Sequence, residues 1–587
     1  MVKQLMKSIR EFKLATILTP TFVVGEVIIE ALIPFLISLL INDIKAGCDL
    51  SVILGYAWKL VVLSLLSLLC GYLAGIYCAE ASTGFAKNLR YDIFSNIQKF
   101  SFSNIDKFSS ASLVTRLTTD IQNVQMAFMM IIRTAVRAPL NLIFSFTMAY
   151  IMGGSMAVIF LIIIPFLGIG LYLIVRTVMP VFKKGFPLFD KITRIVEENV
   201  KGIRVVKSFV REDYEIEKFD ETSNDIRKMF TRAEQIIALN NPLMQISIYA
   251  VMLFVLMFGS EMIIKTNGTS LDVGQLSTLM TYGFQIMVSL MMLSMVFVMI
   301  TFSEESCKRI VEVLNEKSSI TSKENAITEV KDGSIDFDHV RFKYSPTAER
   351  PVLENIDVHI KSGETIGIIG GTGSAKSSFV QLIPRLYDVT EGTVRVGKED
   401  VRDYDLVTLR DSVAMVLQKN VLFSGTIADN IRWGNKDATL EEVKHVCHLA
   451  CADEFIEQMP DGYDTWIEQG GTNVSGGQKQ RLCIARALLK QPKILIMDDS
   501  TSAVDTKTDA MIRKAMKEYI PETTKIIIAQ RTSSVEDADR IIVLDGGKID
   551  AIGTSEELLK TNQIYREVYL SQNKQGTEEI VEEGGVR

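Results

Sequence analysis

Gly370-Gly371-Thr372-Gly373-Ser374-Ala375-Lys376-Ser377 is the run whose residue types and spacing most directly imply chemistry in this chain of 587 residues. It follows residues 364–369, which read as a β-branched strand, and leads into 378–386, which reads as a helix. Strand, glycine-rich turn, Lys-Ser and helix make a phosphate cradle. The backbone N–H groups of the loop and of Ser378 at the helix start face the phosphates, Lys376 reaches the β/γ oxygens, and Ser377 holds Mg²⁺. Where this pattern has glycine before the lysine, the chain has Ala375. Its methyl group comes close to the phosphates, but alanine is a good helix former, so nucleotide binding is expected to survive.

Two further groups follow in order. An apolar strand at 494–497 ends in Asp498-Asp499, which places one carboxylate to hold the Mg²⁺ shell and the next beside the γ-phosphate. Between the cradle and this pair lies Ser475-Gly476-Gly477-Gln478, followed by a helical pattern. A glycine pair alone means a turn, and an apolar run ending in aspartate is common. Their order and spacing give them weight.

The elements that must position these groups divide the chain sharply. From residue 333 strands and helices alternate, the pattern of an α/β nucleotide-binding domain ending near 571. Ahead of it, residues 319–332 read as a polar linker, and residues 572–587 as an acidic, disordered tail. Residues 1–318 are different. Apolar residues make up 48% of the chain, and they crowd into six runs at 14–41, 53–79, 127–152, 157–178, 246–264 and 276–302. Each exceeds or approaches the 20 or so helical residues that cross a bilayer core. The first run is too long for a signal-peptide core and is expected to remain as an anchor. The links after the second and fourth runs are long and rich in lysine and arginine, the others short, so both termini are expected in the cytosol. A helical apolar period continues through Ile192, Ile195, Val196, Val200 and Ile203, so the membrane helices should extend beyond the bilayer.

Composition excludes other classes. A net charge of −7 offers no basic surface, which argues against a nucleic-acid partner. The seven cysteines are scattered through membrane or cytosolic segments, where thiols stay reduced, so no disulfide is expected. His445, Cys447, His448 and Cys451 fall close together, but their spacing matches no standard zinc pattern.

Six membrane helices with two long excursions, then one cassette with its cradle, Ser-Gly-Gly-Gln and Asp pair in order, resemble a half-transporter of the bacterial ATP-binding cassette (ABC) exporter family. The resemblance covers the whole chain. It implies a membrane all-α six-helix exporter domain joined to a cytosolic α/β P-loop nucleotide-binding domain, with ATP and Mg²⁺ as cofactors and a second half-transporter as partner. It implies that Tyr344 stacks on adenine and that Gln418 contacts Mg²⁺ and the attacking water. Ser475, Gly476, Gly477 and Gln478 would close over ATP held by the partner, Ser502 to Asp505 would connect the two sites, and turns near Asp106 and Asp213 would couple cassette to membrane. Cargo would be an amphipathic small molecule, lipid or peptide, leaving by alternating access across the cell membrane.

The chain departs from that family at two catalytic positions. The family's general base is glutamate, and here it is Asp499, one methylene shorter. The family's γ-phosphate-contacting histidine is here Gln530, an amide that donates a hydrogen bond but carries no proton. With Ser475 to Gln478 intact, the resemblance implies the degenerate-site member of a heterodimer. A homodimer with two slow sites, a regulatory ATP-binding subunit and an ATP-gated channel are the alternatives.

Within the membrane runs, Glu26 and Glu30 lie one turn apart in the first, and Arg133 and Arg137 one turn apart in the third. Such charges are expensive unless paired or hydrated. Counting from the outer ends puts Glu26 and Arg137 at a common depth of about 22 Å, so they can pair, either lining a cavity or bracing two helices. Methionine is dense in the sixth run (Met280, Met287, Met291, Met292, Met295 and Met299) and at Met126 to Met130, which suits ordinary packing or an adaptable cargo wall.

Overall fold

The computed structural model describes residues 1–345 and 347–572, and they form two compact units. The first comprises Met1–Lys99 and Ser109–Glu316; the second comprises Phe100–Phe108 and the chain from Lys317. Residues 573–587 of the expected acidic tail lie outside the described residues.

The first unit is helical: α1 (Lys13–Lys45), α2 (Leu50–Ile97), α3 (Ile121–Ile132), α4 (Thr134–Gly153), α5 (Val158–Lys201), α6 (Glu212–Ala238), α7 (Asn240–Thr266) and α8 (Val273–Asn315). Among the described residues, five continuous helical stretches are long and apolar enough to cross a membrane. The third stretch, Ser110–Lys201, contains both the third and fourth expected runs, divided by a break at Gly154 (φ +51°). Its neighbour Gly153 packs so closely that a Cβ there would lie 2.6 Å from Leu279. As the apolar period implies, α2 and α5 continue well past the apolar runs. The turn expected near Asp213 falls at residues 209–211, and Asp213 sits with Glu212 and Glu215 in the first turn of α6, where negative charge suits the helix dipole.

A core of Phe160, Leu279, Tyr282 and Ile286 joins the helices. Asp272 caps α8 reciprocally with Gln275, and Asn42 of α1 bonds both Asp272 and the Gly274 backbone. The methionines divide between roles, for Met287 is fully buried whereas Met295 is 62% exposed. Where α3 is entered, a π-turn at Arg116–Asp120 buries Asp120, which accepts from Ser306 and Arg309 of α8.

The second unit carries two large sheets and a two-stranded one that pairs Gly425–Thr426 with Trp466–Ile467. Strands β1 (Ile335–Phe342), β2 (Leu353–Ile360) and β4 (Glu391–Val396) form an antiparallel sheet in the order β2-β1-β4, extended by Glu399–Asp400, with alternate side chains buried. Strands β3 (Thr365–Ile369), β5 (Val413–Val416), β6 (Ile494–Asp498), β7 (Thr524–Ile528), β8 (Arg540–Asp545) and β9 (Lys548–Gly553) form the other in the order β9-β8-β3-β7-β6-β5. All five residues of β6 and of β7 are buried, as expected of parallel strands covered on both faces. Helix α9 (Lys376–Gln381) leaves the P-loop, α10 (Gly476–Leu489) follows the Ser-Gly-Gly-Gln run, and α11 (Gln563–Gln572) closes the described chain.

Candidate nucleotide site

Four adjacent parallel strands deliver the site. β3 runs into Gly370, β5 into Gln418, β6 into Asp498-Asp499 and β7 into Gln530; the registers Ile528↔Ile368, Ile528↔Asp498 and Val416↔Met497 align their carboxyl ends. Ligands of open α/β sheets bind at that edge. Residues far apart in sequence therefore meet because the strands share register.

The P-loop is built around close backbone approach. A Cβ on Gly370 would lie 2.2 Å from the Leu544 carbonyl, and Gly373 has φ +84°. Lys376 Nζ donates to the carbonyls of Gly370 and Gly371 (both 2.9 Å) and to Ser374 Oγ (3.3 Å), which folds it over the loop. Burial lowers the Lys376 pKa, against the pull of Asp498 and Asp499. Burial likewise raises that of Asp498, against a hydrogen bond from Ser377 and the charge of Lys376. Ser377 and Asp498 thus form an oxygen-only pair of the kind that Mg²⁺ prefers. Ala375 is not helical: it precedes α9 at φ +70°, ψ 22°, so its helix propensity does not apply.

Asp499 is buried and itself has φ +47°. Its N–H donates to the Ile528 carbonyl (2.9 Å), and its Oδ2 accepts from Gln530 Nε2 (2.8 Å) and Gln418 Nε2 (3.3 Å). The two departures from the family pattern are therefore bonded to each other. Tyr344, 44% exposed, meets the rings of Phe342 and Tyr387 edge-on, and its hydroxyl bonds Ser378 Oγ (2.8 Å). Thr372 lies within the loop, on the turn preceding Ser374.

Ser475 caps α10, its Oγ accepting from Gln478 N while Gln478 Oε1 accepts from Ser475 N. A Cβ on Gly477 would come within 2.8 Å of the Ala503 carbonyl, and Gly476 lies alongside it. These residues thus face the Ser502 to Asp505 turn rather than the cradle. Three residues that sequence reasoning left without a role sit here. Gln480 accepts from Ala503 N (3.0 Å), Arg531 donates to the carbonyls of Ser502 and Val504, and Gln572 spans Gln530 and Thr532. The arginine and first glutamine adjoin recognised motifs, which was a usable signal; Gln572 carried none.

The histidines and cysteines at 445–451 diverge: His448 bonds Asp453 (2.6 Å), His445 meets the Tyr519 ring, and Cys447 joins the core. Among the described residues, the metal-compatible group is instead Asp338, Asp357 and His359 on the exposed face of β1 and β2, where Arg395 pairs with Asp338 and Asp336 with His359.

Comparison with known proteins agrees with this architecture. Residues 16–302 match the ABC transporter transmembrane region, and residues 353–502 match the ABC transporter family. The chain belongs to the ABC transporter family and is an ATP-hydrolysing, multi-pass membrane transporter. It is 34% identical over 554 residues to the uncharacterized ABC transporter ATP-binding protein YfiB of Bacillus subtilis (strain 168), covering 94% of this chain and 96% of that protein. An ATP-dependent lipid A-core flippase of Desulfotalea psychrophila (strain LSv54 / DSM 12343) is 31% identical, with 85% and 87% covered. The fold is that of a bacterial Atm1-family ABC exporter solved with ATP bound, at TM-score 0.82 and 24% identity, covering 96% of this chain and 98% of that one.

Proposed function

We propose that this chain is the degenerate-site half of a heterodimeric exporter that moves amphipathic small molecules, lipids or peptides outward by alternating access. Both termini face the cytosol, and Mg²⁺ binds between Ser377 and Asp498. The reading is carried by the Asp499–Gln530 hydrogen bond of 2.8 Å. A carboxylate one methylene short of glutamate is held toward an amide, with Gln418 on the same oxygen, so its reach toward an attacking water is reduced. Lys376, Ser377 and the P-loop amides retain the means to bind ATP. Ser475 to Gln478, preorganised by its capping box, completes the competent site of the partner half. The flippase relative makes a lipid a natural member of the cargo class.

ATP turnover tests this, measured for the purified chain alone and for the chain co-purified with its partner half. Turnover near zero alone, normal turnover in the pair, and a gain of about 10²-fold at this site in Asp499→Glu with Gln530→His are expected. Brisk turnover of the unmodified chain alone would replace the heterodimer with a homodimer.

A further inference from the structure

The membrane charges do more than pair. Arg137 donates to both acids, to Glu26 Oε1 at 3.0 Å through Nη1 and to Glu30 Oε1 at 2.7 Å through Nη2. Glu26 is 7% exposed, yet its second oxygen, Oε2, has no hydrogen-bond partner among the described residues. A buried carboxylate oxygen without a donor is unfavourable, so this oxygen requires a donor from outside the chain. Space for the carboxylate is made by Gly71 of α2, where a Cβ would lie 2.8 Å from Glu26 Oε1 and 3.6 Å from Oε2.

One turn along the same face of α2, a Cβ on Gly75 would lie 4.0 Å from the Arg133 guanidinium. Arg133 stands at the break between α3 and α4 (φ −110°, ψ −66°), is half-buried, and has no carboxylate partner among the described residues. Glycines four residues apart on a helix are separated by about 6 Å along its axis. The α2 face is therefore approached, at glycines one turn apart, by a carboxylate oxygen lacking a donor and by a guanidinium without a carboxylate partner. Glu30 and Arg137, whose side chains are 29% and 25% exposed, are the more accessible side of the group, next to the buried Glu26.

We infer that Glu26 and Arg133 form a binding site for the zwitterionic headgroup of an amphiphile, with its ammonium on Glu26 Oε2 and its anionic oxygens on Arg133. The four side chains sum to no net charge, and a zwitterion leaves that sum unchanged. A simple cation or anion would add an unbalanced charge in a low-dielectric setting. Arg137 and Glu30 are positioning residues that hold Glu26 in place. The inference deepens the exporter reading by naming its cargo class, and so rests on it.

The test is equilibrium binding to the detergent-purified transporter, assembled with its partner half, without nucleotide. Three single-chain probes are compared: lysophosphatidylethanolamine, hexadecylamine and hexadecyl methyl phosphate. The zwitterion is expected to bind at least about tenfold more tightly than either singly charged probe. Glu26→Gln should abolish the preference over the phosphate, and Arg133→Gln the preference over the amine. Should Glu26→Gln fail to fold through loss of its ion pair, Arg133→Gln decides alone, since it removes no ion pair. Equal binding of the three probes, tighter binding of a singly charged probe, or a preference unchanged in Arg133→Gln overturns the site. Because nothing here depends on ATP hydrolysis, such a failure is distinct from failure of the exporter reading, which ATP-driven transport in proteoliposomes reports separately.

Discussion

Ala375 occupies the left-handed region at φ +70° immediately before α9, at a position where glycine carries no Cβ penalty. Strain of about 1–2 kcal/mol is opposed by the packing of its methyl group on the nucleotide-domain core and by the lower entropy of an unfolded alanine. Strain is the larger of these. Ala375→Gly is therefore expected to stabilise the protein by about 0.5–1 kcal/mol, seen as a raised thermal unfolding midpoint with ATP binding kept. A lowered midpoint would mean that the methyl contacts outweigh the strain. The P-loop itself was legible because its residues are contiguous, whereas the dihedral of Ala375 was not: composition suggests a helix where the chain turns before one. Similarly, Asp499 and Gln530 each stood out as substitutions, but their mutual bond joins residues 31 apart and depends on strand register.

That register belongs to the elements. β3 and β6 were legible as apolar runs, whereas β5 and β7 were not read as strands, and the order of the four in the sheet brings Gly370, Gln418, Asp499 and Gln530 to one edge. Period and depth likewise foretold the Glu26–Arg137 pair, since both counts follow from helical rise; the sharing of Arg137 by Glu30 depends on packing and did not show. Least legible was the end of α11. Gln572 Oε1 accepts from Thr532 N (2.9 Å) and Oγ1 (3.2 Å), and its Nε2 donates to the Gln530 carbonyl (2.8 Å), a clamp across a sequence separation of about forty residues. No local pattern marks such a contact. Gln572→Ala should release the Gln530 loop, speeding hydrogen exchange of the Thr532 amide about tenfold, as expected for loss of roughly 1–1.5 kcal/mol. Unchanged exchange would show that the loop is held by Arg531 and the β7 ladder alone.

At the scale of the whole molecule, chain connectivity determines what can couple. Phe100–Phe108 groups with the second unit, although the residues on either side of it belong to the first. Inside the second unit, Tyr387 Oη donates to Asp106 Oδ2 at 2.8 Å, and its ring lies 6.0 Å from that of Phe102. Burial and Asp106 push the Tyr387 pKa up, so the phenol remains a donor at physiological pH. This nine-residue segment follows α2 directly in the chain, and its anchorage in the second unit includes one removable hydroxyl. Tyr387→Phe keeps the ring and deletes the donor, at a cost of about 1 kcal/mol because Asp106 is exposed and stays hydrated. The segment should then detach about fivefold more often, lowering cargo moved per ATP hydrolysed in proteoliposomes severalfold while ATP affinity is unchanged. Equal loss of transport and ATP binding would assign the hydroxyl to folding of the cassette instead. Loss of neither would place coupling on the ring contacts or on the other long excursion, between α5 and α6.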